Sequence, residues 1–145
     1  FGRAIAEKYK GQGIQLVASP AIGGIVIGHE VARALGARFV WTEREAGEMT
    51  LRRGFTVSPG EKTLVVEDVI TTGGSTRETI EALKRAGADV TGAASIIDRS
   101  GGSADVGVPR TSLASLKVLS VEASECDACK LVEPAIKPGS RKAAP

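Results

Sequence analysis

A chain of 145 residues has the length of one domain with a sizeable core, and 42% hydrophobic with 25% charged residues is ordinary for a globular protein. The formal net charge of +2 gives no reason to expect nucleic acid as a partner, although it suits anionic substrates. Since no apolar run approaches the roughly 20 residues of a membrane span and no secretory leader is recognisable, we expect a cytoplasmic protein with no membrane partner.

Predicted strands and helices alternate along the chain, which indicates an α/β fold with a doubly wound, mainly parallel sheet flanked by helices. The helices are predicted at residues 1–9, 24–35 and 75–86, and the strands at 15–18, 38–42, 63–66, 90–97 and 116–121. Ligands of such sheets bind beyond the carboxyl ends of the strands.

The chain opens directly in a predicted helix, with Ile5 and Tyr9 at i, i+4 spacing. We therefore expect an incomplete chain that lacks an N-terminal segment. The domain is expected to cover residues 1–136, followed by a C-terminal tail at 137–145 that is rich in Pro, Gly and basic residues.

The most informative motif follows the predicted strand at 63–66, where two acids precede a turn of glycines and hydroxyl residues that opens a helix. Helix N-termini and glycine-rich turns bind phosphate through backbone N–H groups, while carboxylates accept hydrogen bonds from sugar hydroxyls. The alternative is an ordinary strand-to-helix turn. As a site for a phosphorylated sugar, the motif consists of Glu67, Asp68, Val69, Ile70, Thr71, Thr72, Gly73, Gly74, Ser75 and Thr76.

This motif resembles the phosphoribosyl-diphosphate (PRPP) signature of type I phosphoribosyltransferases, whose fold has the same doubly wound sheet. The resemblance implies that residues 67–76 bind PRPP and that Glu67 and Asp68, here called the acid pair, hold the ribose hydroxyls directly or through waters of Mg²⁺. It also implies Mg²⁺ as the cofactor, bound through the substrate rather than directly by the protein. Residues 71–76, here called the phosphate loop, would hold the 5-phosphate.

A second anion-binding turn is predicted at residues 19–24, between the first strand and the next helix. In the family, this position holds the diphosphate, often with a non-proline cis peptide between the residues that correspond to Ala21 and Ile22. Ala21, Ile22 and Gly23 are here called the diphosphate loop. A plain helix-entry turn, with Pro20 fixing the chain, is the alternative.

The highly charged segment 42–55 is predicted to form a β-hairpin arm or a mobile flap. In the family, a catalytic loop closes over the substrate here, and guanidinium groups would stabilise the departing diphosphate. Arg44, Arg52 and Arg53 are the candidates, and solvated surface arginines are the alternative. The pattern 49–55 resembles a shorter-loop bacterial branch of orotate phosphoribosyltransferases, although the Lys and His of many longer loops are absent.

Arg99 follows the strand predicted at 90–97, at the edge of the sheet where the acid pair lies. In the orotate branch, an Asp-Arg at this point supplies an arginine to orotate, and a Thr that matches Thr71 also contacts it. A guanidinium matches the two oxygens of a carboxylate. The alternative is an arginine that caps a strand end.

The resemblance therefore implies a pentosyltransferase that joins orotate to the ribose 5-phosphate of PRPP, giving orotidine 5′-phosphate and diphosphate in pyrimidine nucleotide biosynthesis. Because enzymes of the family are commonly dimers, it also implies a homodimer. A purine or other base phosphoribosyltransferase is one alternative, and a PRPP-binding transcriptional regulator is another.

Several other residues carry no predicted catalytic role. His29 is expected to be packed or solvent-facing, and Phe39 and Trp41 to lie in the core or a dimer interface. Cys126 and Cys129 are expected to be reduced thiols, with a metal site shared across a dimer or a disulfide as alternatives.

Overall fold

The computed structural model describes residues 1–118 and 124–126 as helices on both faces of a six-stranded sheet with the order β3-β2-β1-β4-β5-β6. The elements are α1 (Gly2–Tyr9), β1 (Leu16–Pro20), α2 (Gly24–Leu35), β2 (Arg38–Glu45), β3 (Glu48–Leu51), β4 (Lys62–Ile70), α3 (Gly74–Arg85), β5 (Asp89–Asp98) and β6 (Arg110–Ser115).

The pairing of the strands confirms the doubly wound, mainly parallel sheet. β1 pairs in parallel with β2 and β4, β4 with β5, and β5 with β6, whereas β2 and β3 form an antiparallel hairpin. The segment 42–55 is therefore a β-hairpin arm, one of the two predicted forms. No helix in the described ranges is long and apolar enough to cross a membrane.

The prediction of the last strand was wrong. β6 runs from Arg110 to Ser115, whereas within residues 116–118 only Lys117 forms an isolated bridge, to Ser100. The strand was predicted at 116–121 because that run is more apolar than 110–115. Leu116 and Val118 are nevertheless 51% and 44% exposed, and the residues that pair with β5 are those of 110–115. Residues 119–121 of the predicted strand lie outside the described residues.

The core has one hydrophobic cluster on each face of the sheet. Leu64 and Val66 of β4 pack in the cluster with α1 and α2, whereas Val65 packs in the cluster with Ile80 and Leu83 of α3. Successive side chains of a strand point to opposite faces, so a strand covered on both faces is apolar throughout. This burial explains the continuous apolar sequence of β4 and fixes its carboxyl end in place.

The aromatic residues and the cysteine pair have the following positions. Phe39 packs half-buried against the core, and Trp41 contacts Phe55 edge-on with ring centroids 4.5 Å apart.

Cys126 is disulfide-bonded, which is one of the alternatives to reduced thiols, and Cys129 lies outside the described residues. The predicted C-terminal tail at 137–145 also lies outside them.

Candidate active site

The acid pair lies at the carboxyl end of β4, facing the start of α2. Glu67 is 8% exposed, and Asp68 is half-buried with its Oδ1 accepting a 2.8 Å hydrogen bond from the N–H of Val69. A Cβ added at Gly23 would lie 2.6 Å from Asp68 Oδ2, and one added at Gly24 would lie 3.1 Å from Glu67 Oε1. The two glycines therefore let the diphosphate loop approach both carboxyl groups.

Burial raises the pKa of Glu67 to about 8, and the neighbouring Asp68 carboxyl adds to the increase. The Asp68 N–H donates to Glu67 Oε1 at 3.3 Å, but this bond only partly opposes the burial. At pH 7 Glu67 is therefore mainly protonated in the free protein, so it can donate as well as accept a hydrogen bond.

We expect Glu67→Gln to remove a pH dependence of stability. The pKa in the folded state lies above the ordinary 4.5, so the contribution of Glu67 is fully present below pH 4.5 and falls as pH rises to about 8. The fall is about 1.4 kcal/mol per pH unit within that window. Denaturant unfolding between pH 5 and 8.5 should show a smaller loss of stability for Glu67→Gln than for the unchanged protein.

The exposed Glu81 of α3 provides the matched control for this measurement. Glu81→Gln should keep the slope of the unchanged protein. Equal slopes for Glu67→Gln and the unchanged protein would show that Glu67 is ionised throughout the window.

The phosphate loop lies between β4 and α3. Gly73 has a φ of 79°, and a Cβ there would lie 2.8 Å from Val106 Cγ1, so both the backbone and the packing favour glycine. Thr71, Thr72 and Ser75 are exposed, whereas Thr76 is buried. The first turn of α3 has backbone N–H groups without partners inside the helix, and exposed hydroxyl groups lie next to it, as an anion site requires.

The diphosphate loop has the cis peptide bond between Ala21 and Ile22 that the resemblance led us to expect. The Ala21 N–H donates a 2.8 Å hydrogen bond to the carbonyl of Thr42, which ties this loop to β2. Because β1 and β4 are adjacent and parallel, the loop lies beside the acid pair.

We expect Gly23→Ala to lower activity by about tenfold, because the added methyl group would displace the Asp68 carboxylate. The φ of Gly23 is −57°, so the substitution causes no backbone strain. Steady-state kinetics of Gly23→Ala, Asp68→Asn and the double variant form the test. Since Gly23→Ala acts through Asp68, the double variant should resemble Asp68→Asn; independent, multiplying losses would contradict this.

The hairpin arm brings two of the three candidate arginines to the diphosphate loop. Arg44 and Arg53 line a cavity of about 620 Å³ together with Ala21 and Ile22, whereas Arg52 does not line this cavity. Each of the three is paired with carboxylates. Arg44 contacts Glu78, Arg53 contacts Glu43, and Arg52 lies 3.2 Å from Glu45 and 3.6 Å from Glu43.

Arg99 lies beside the phosphate loop, as the sequence led us to expect. Its backbone N–H donates a 2.8 Å hydrogen bond to the carbonyl of Ile70, the last residue of β4. Its exposed side chain lines a cavity of about 480 Å³ with Thr71 and Thr72. The structure therefore places both candidate base-binding residues at one cavity.

Sequence reasoning gave no role to Arg77, which lines this cavity, or to Asp98 and Arg110, which contact the residues of its wall. Asp98 is 2% exposed; burial opposes its ionisation, but hydrogen bonds from Ser100, Arg110 and Gly102 outweigh burial and hold its pKa below the usual range. An acid at the end of a buried strand was a usable signal for Asp98. Arg110 gave no signal, because its strand was predicted elsewhere.

The described residues offer no group of three or more His, Cys, Asp or Glu that could hold a metal ion. Mg²⁺ commonly keeps several waters and binds through one or two carboxylates together with substrate phosphates. The two carboxyl groups of the acid pair, next to two anion-binding loops, fit an ion of that kind.

Comparison with known proteins gives a consistent result. Residues 2–115 match the model of the phosphoribosyl transferase domain. An orotate phosphoribosyltransferase of Pelotomaculum thermopropionicum is 53% identical over 140 residues, which cover 97% of this chain and 74% of that protein.

Two solved structures are also similar. The orotate phosphoribosyltransferase from Aeropyrum pernix superposes with a TM-score of 0.61 at 26% identity, over 80% of this chain and 70% of that one. The adenine phosphoribosyltransferase from Rhodothermus marinus has a TM-score of 0.65 at 26% identity, over 79% of this chain and 77% of that one.

Proposed function

This chain belongs to the phosphoribosyltransferase family, within its orotate group, and from that premise we propose how its crevice carries out the reaction. The reaction is the transfer of ribose 5-phosphate from PRPP to orotate, which gives orotidine 5′-phosphate and diphosphate. The observation that carries the choice of base is the cavity shared by Arg99 and Thr71.

Orotate is a planar pyrimidine with a carboxylate, and the guanidinium of Arg99 would pair with that group in a bidentate manner. The hydroxyl of Thr71, on the same cavity, would bind the edge of the ring. An uncharged purine offers Arg99 no carboxylate, so this pocket favours orotate.

PRPP would lie between the two loops at the ends of β1 and β4. The phosphate loop would bind the 5-phosphate at the N-terminus of α3, and the acid pair would hold the ribose hydroxyls. The diphosphate loop lies beside Asp68 and would bind the leaving group. These contacts fix the anomeric carbon of the ribose against the base, so much of the rate enhancement comes from positioning.

Arg44 and Arg53 would stabilise the charge that develops on the diphosphate as its bond to the ribose breaks. Their side chains line the cavity beside the diphosphate loop, and both would exchange a carboxylate partner for the diphosphate. Arg52 would assist from the hairpin through its shared partner Glu43. Mg²⁺ would be held near the acid pair and supplies charge neutralisation to the diphosphate when bound.

A homodimer and a cytoplasmic location also belong to this proposal. Ile22, which precedes α2, and Val26, in its first turn, are 85% and 74% exposed, and such apolar side chains suit a contact between subunits. PRPP carries several phosphate charges and does not cross membranes unaided. A protein that uses PRPP therefore lies in the compartment that makes it, which we propose is the cytoplasm. Light scattering over a range of protein concentrations tests the dimer, and a monomer at all concentrations would contradict it.

A panel of bases tests the proposed function. The protein, PRPP and Mg²⁺ are incubated separately with orotate, uracil, adenine or hypoxanthine, and nucleotide products are separated chromatographically. Orotidine 5′-phosphate as the main product is the expected result. A purine nucleotide instead would favour the other-base alternative, whereas PRPP-dependent DNA binding without turnover would favour the regulator.

A further inference from the structure

Residues 100–105, which follow Arg99 and are here called the segment, fold around the buried carboxylate of Asp98. Asp98 accepts hydrogen bonds from the Ser100 N–H at 2.8 Å, the Ser100 hydroxyl at 2.6 Å and the Gly102 N–H at 2.8 Å. Arg110 Nη1 lies 3.1 Å from the Asp98 carboxylate. The ionised Asp98 thereby fixes the first turn of the segment from inside the protein.

Two arginines from different elements bind adjacent carbonyl groups at the far end of this segment. Arg110 of β6 donates from Nε to the carbonyl of Ala104 at 2.8 Å, and Arg77 of α3 donates from Nη2 to the carbonyl of Asp105. The Ala104 N–H also donates to the Ser100 hydroxyl at 2.9 Å. The segment is thus held at its start, by Asp98, and again at 104–105.

The same segment forms one wall of the cavity that contains Arg99 and Thr71. Directly after it, Val106 is 1% exposed and lies close to Gly73 of the phosphate loop. A displacement of residues 104–105 would therefore alter the base cavity and its contact with the phosphate loop together.

We infer that Arg77 and Arg110 are positioning residues that set the affinity for orotate, because they hold the wall of the base cavity in its binding shape around Arg99. The inference rests on the proposed function, in which Arg99 binds the orotate carboxylate. The side chain of Arg99 is exposed, and a fixed wall lowers the cost of ordering it when the base binds.

Arg77→Met tests the inference most cleanly, since Arg77 is exposed and its loss leaves the Asp98–Arg110 pair in place. We expect KM for orotate to rise about tenfold, which is the effect of losing one charge-assisted hydrogen bond, while KM for PRPP stays within about twofold. Arg85→Met, at the exposed C-terminal end of the same helix, is the matched control and should change neither constant.

Arg77→Lys keeps a cationic donor toward the carbonyl of Asp105 and should recover part of the orotate affinity. A rise of KM for PRPP in Arg77→Met, as large as that for orotate, would show that Arg77 binds the phosphate itself and would overturn the inference. An unchanged KM for orotate would also overturn it. If the unchanged protein converts adenine but no orotate, the proposed function fails as well, and the two failures are thereby distinguished.

Discussion

Asp68→Asn is expected to lower kcat/KM for PRPP by about a hundredfold or more. The carboxylate of Asp68 faces Gly23 of the diphosphate loop, where an added Cβ would lie 2.6 Å from Oδ2, and the phosphate loop follows Asp68 in the chain at Thr71. A carboxylate that accepts from a ribose hydroxyl, or from a water on Mg²⁺, stabilises the positive charge that develops on the ribose. Removing one such contact lowers the rate by about 100- to 1,000-fold.

Asp89→Asn is the matched control for this variant, because Asp89 is exposed at the opposite end of the sheet, where β5 begins. It should retain the activity of the unchanged protein. The hydrogen bonds of the Asp68 side chain are local, from the Val69 N–H and with the Glu67 carboxyl, so Asp68→Asn should remain folded and unfold at nearly the same temperature. Near-normal turnover by a folded Asp68→Asn would contradict the role given to the acid pair.

Arg99→Ala is expected to raise KM for orotate by about a hundredfold and to leave KM for PRPP within about threefold. A hydrogen bond between charged groups contributes about 1.5–3 kcal/mol, and alanine removes both bonds of the bidentate pair, so a hundredfold change, about 2.7 kcal/mol, is near the lower end of the expected loss. Steady-state kinetics with each substrate varied in turn separates the two constants.

Arg99→Lys provides the comparison for that variant, since it keeps the charge and loses the bidentate geometry. Its KM for orotate should lie between those of Arg99→Ala and the unchanged protein. Equal losses of affinity for both substrates in Arg99→Ala would mean that Arg99 binds PRPP, and no loss for either would remove Arg99 from the site.

The parts of the site that lie close together in sequence were predictable. Only Val69 and Ile70 separate the acid pair from the phosphate loop, and the chemistry of both follows from a buried strand that leads into a helix N-terminus. The diphosphate loop follows β1 in the same way, and the parallel sheet brings the two loops to one edge. The order of the elements, and the edge of the sheet at which the site lies, could therefore be predicted from local sequence patterns.

The parts that depend on contacts between distant residues were not predictable from one sequence. Arg77 of α3 and Arg110 of β6 bind the adjacent carbonyls of Asp105 and Ala104, and no local pattern marks either arginine. The ion pairs of Arg44 with Glu78 and of Arg53 with Glu43 likewise depend on how the hairpin arm packs. The prediction placed β6 at 116–121 because that run is the more apolar one. The actual position of β6 depends on its pairing with β5, which the sequence does not show.

The most direct test of the account follows orotate absorbance in a mixture of the protein, PRPP, orotate and Mg²⁺, with released diphosphate measured in parallel. We predict that orotate disappears only when PRPP is present, and that one diphosphate appears for each orotate consumed. Orotate that remains unchanged while the protein binds PRPP or converts another base would contradict the assignment of this crevice to orotate.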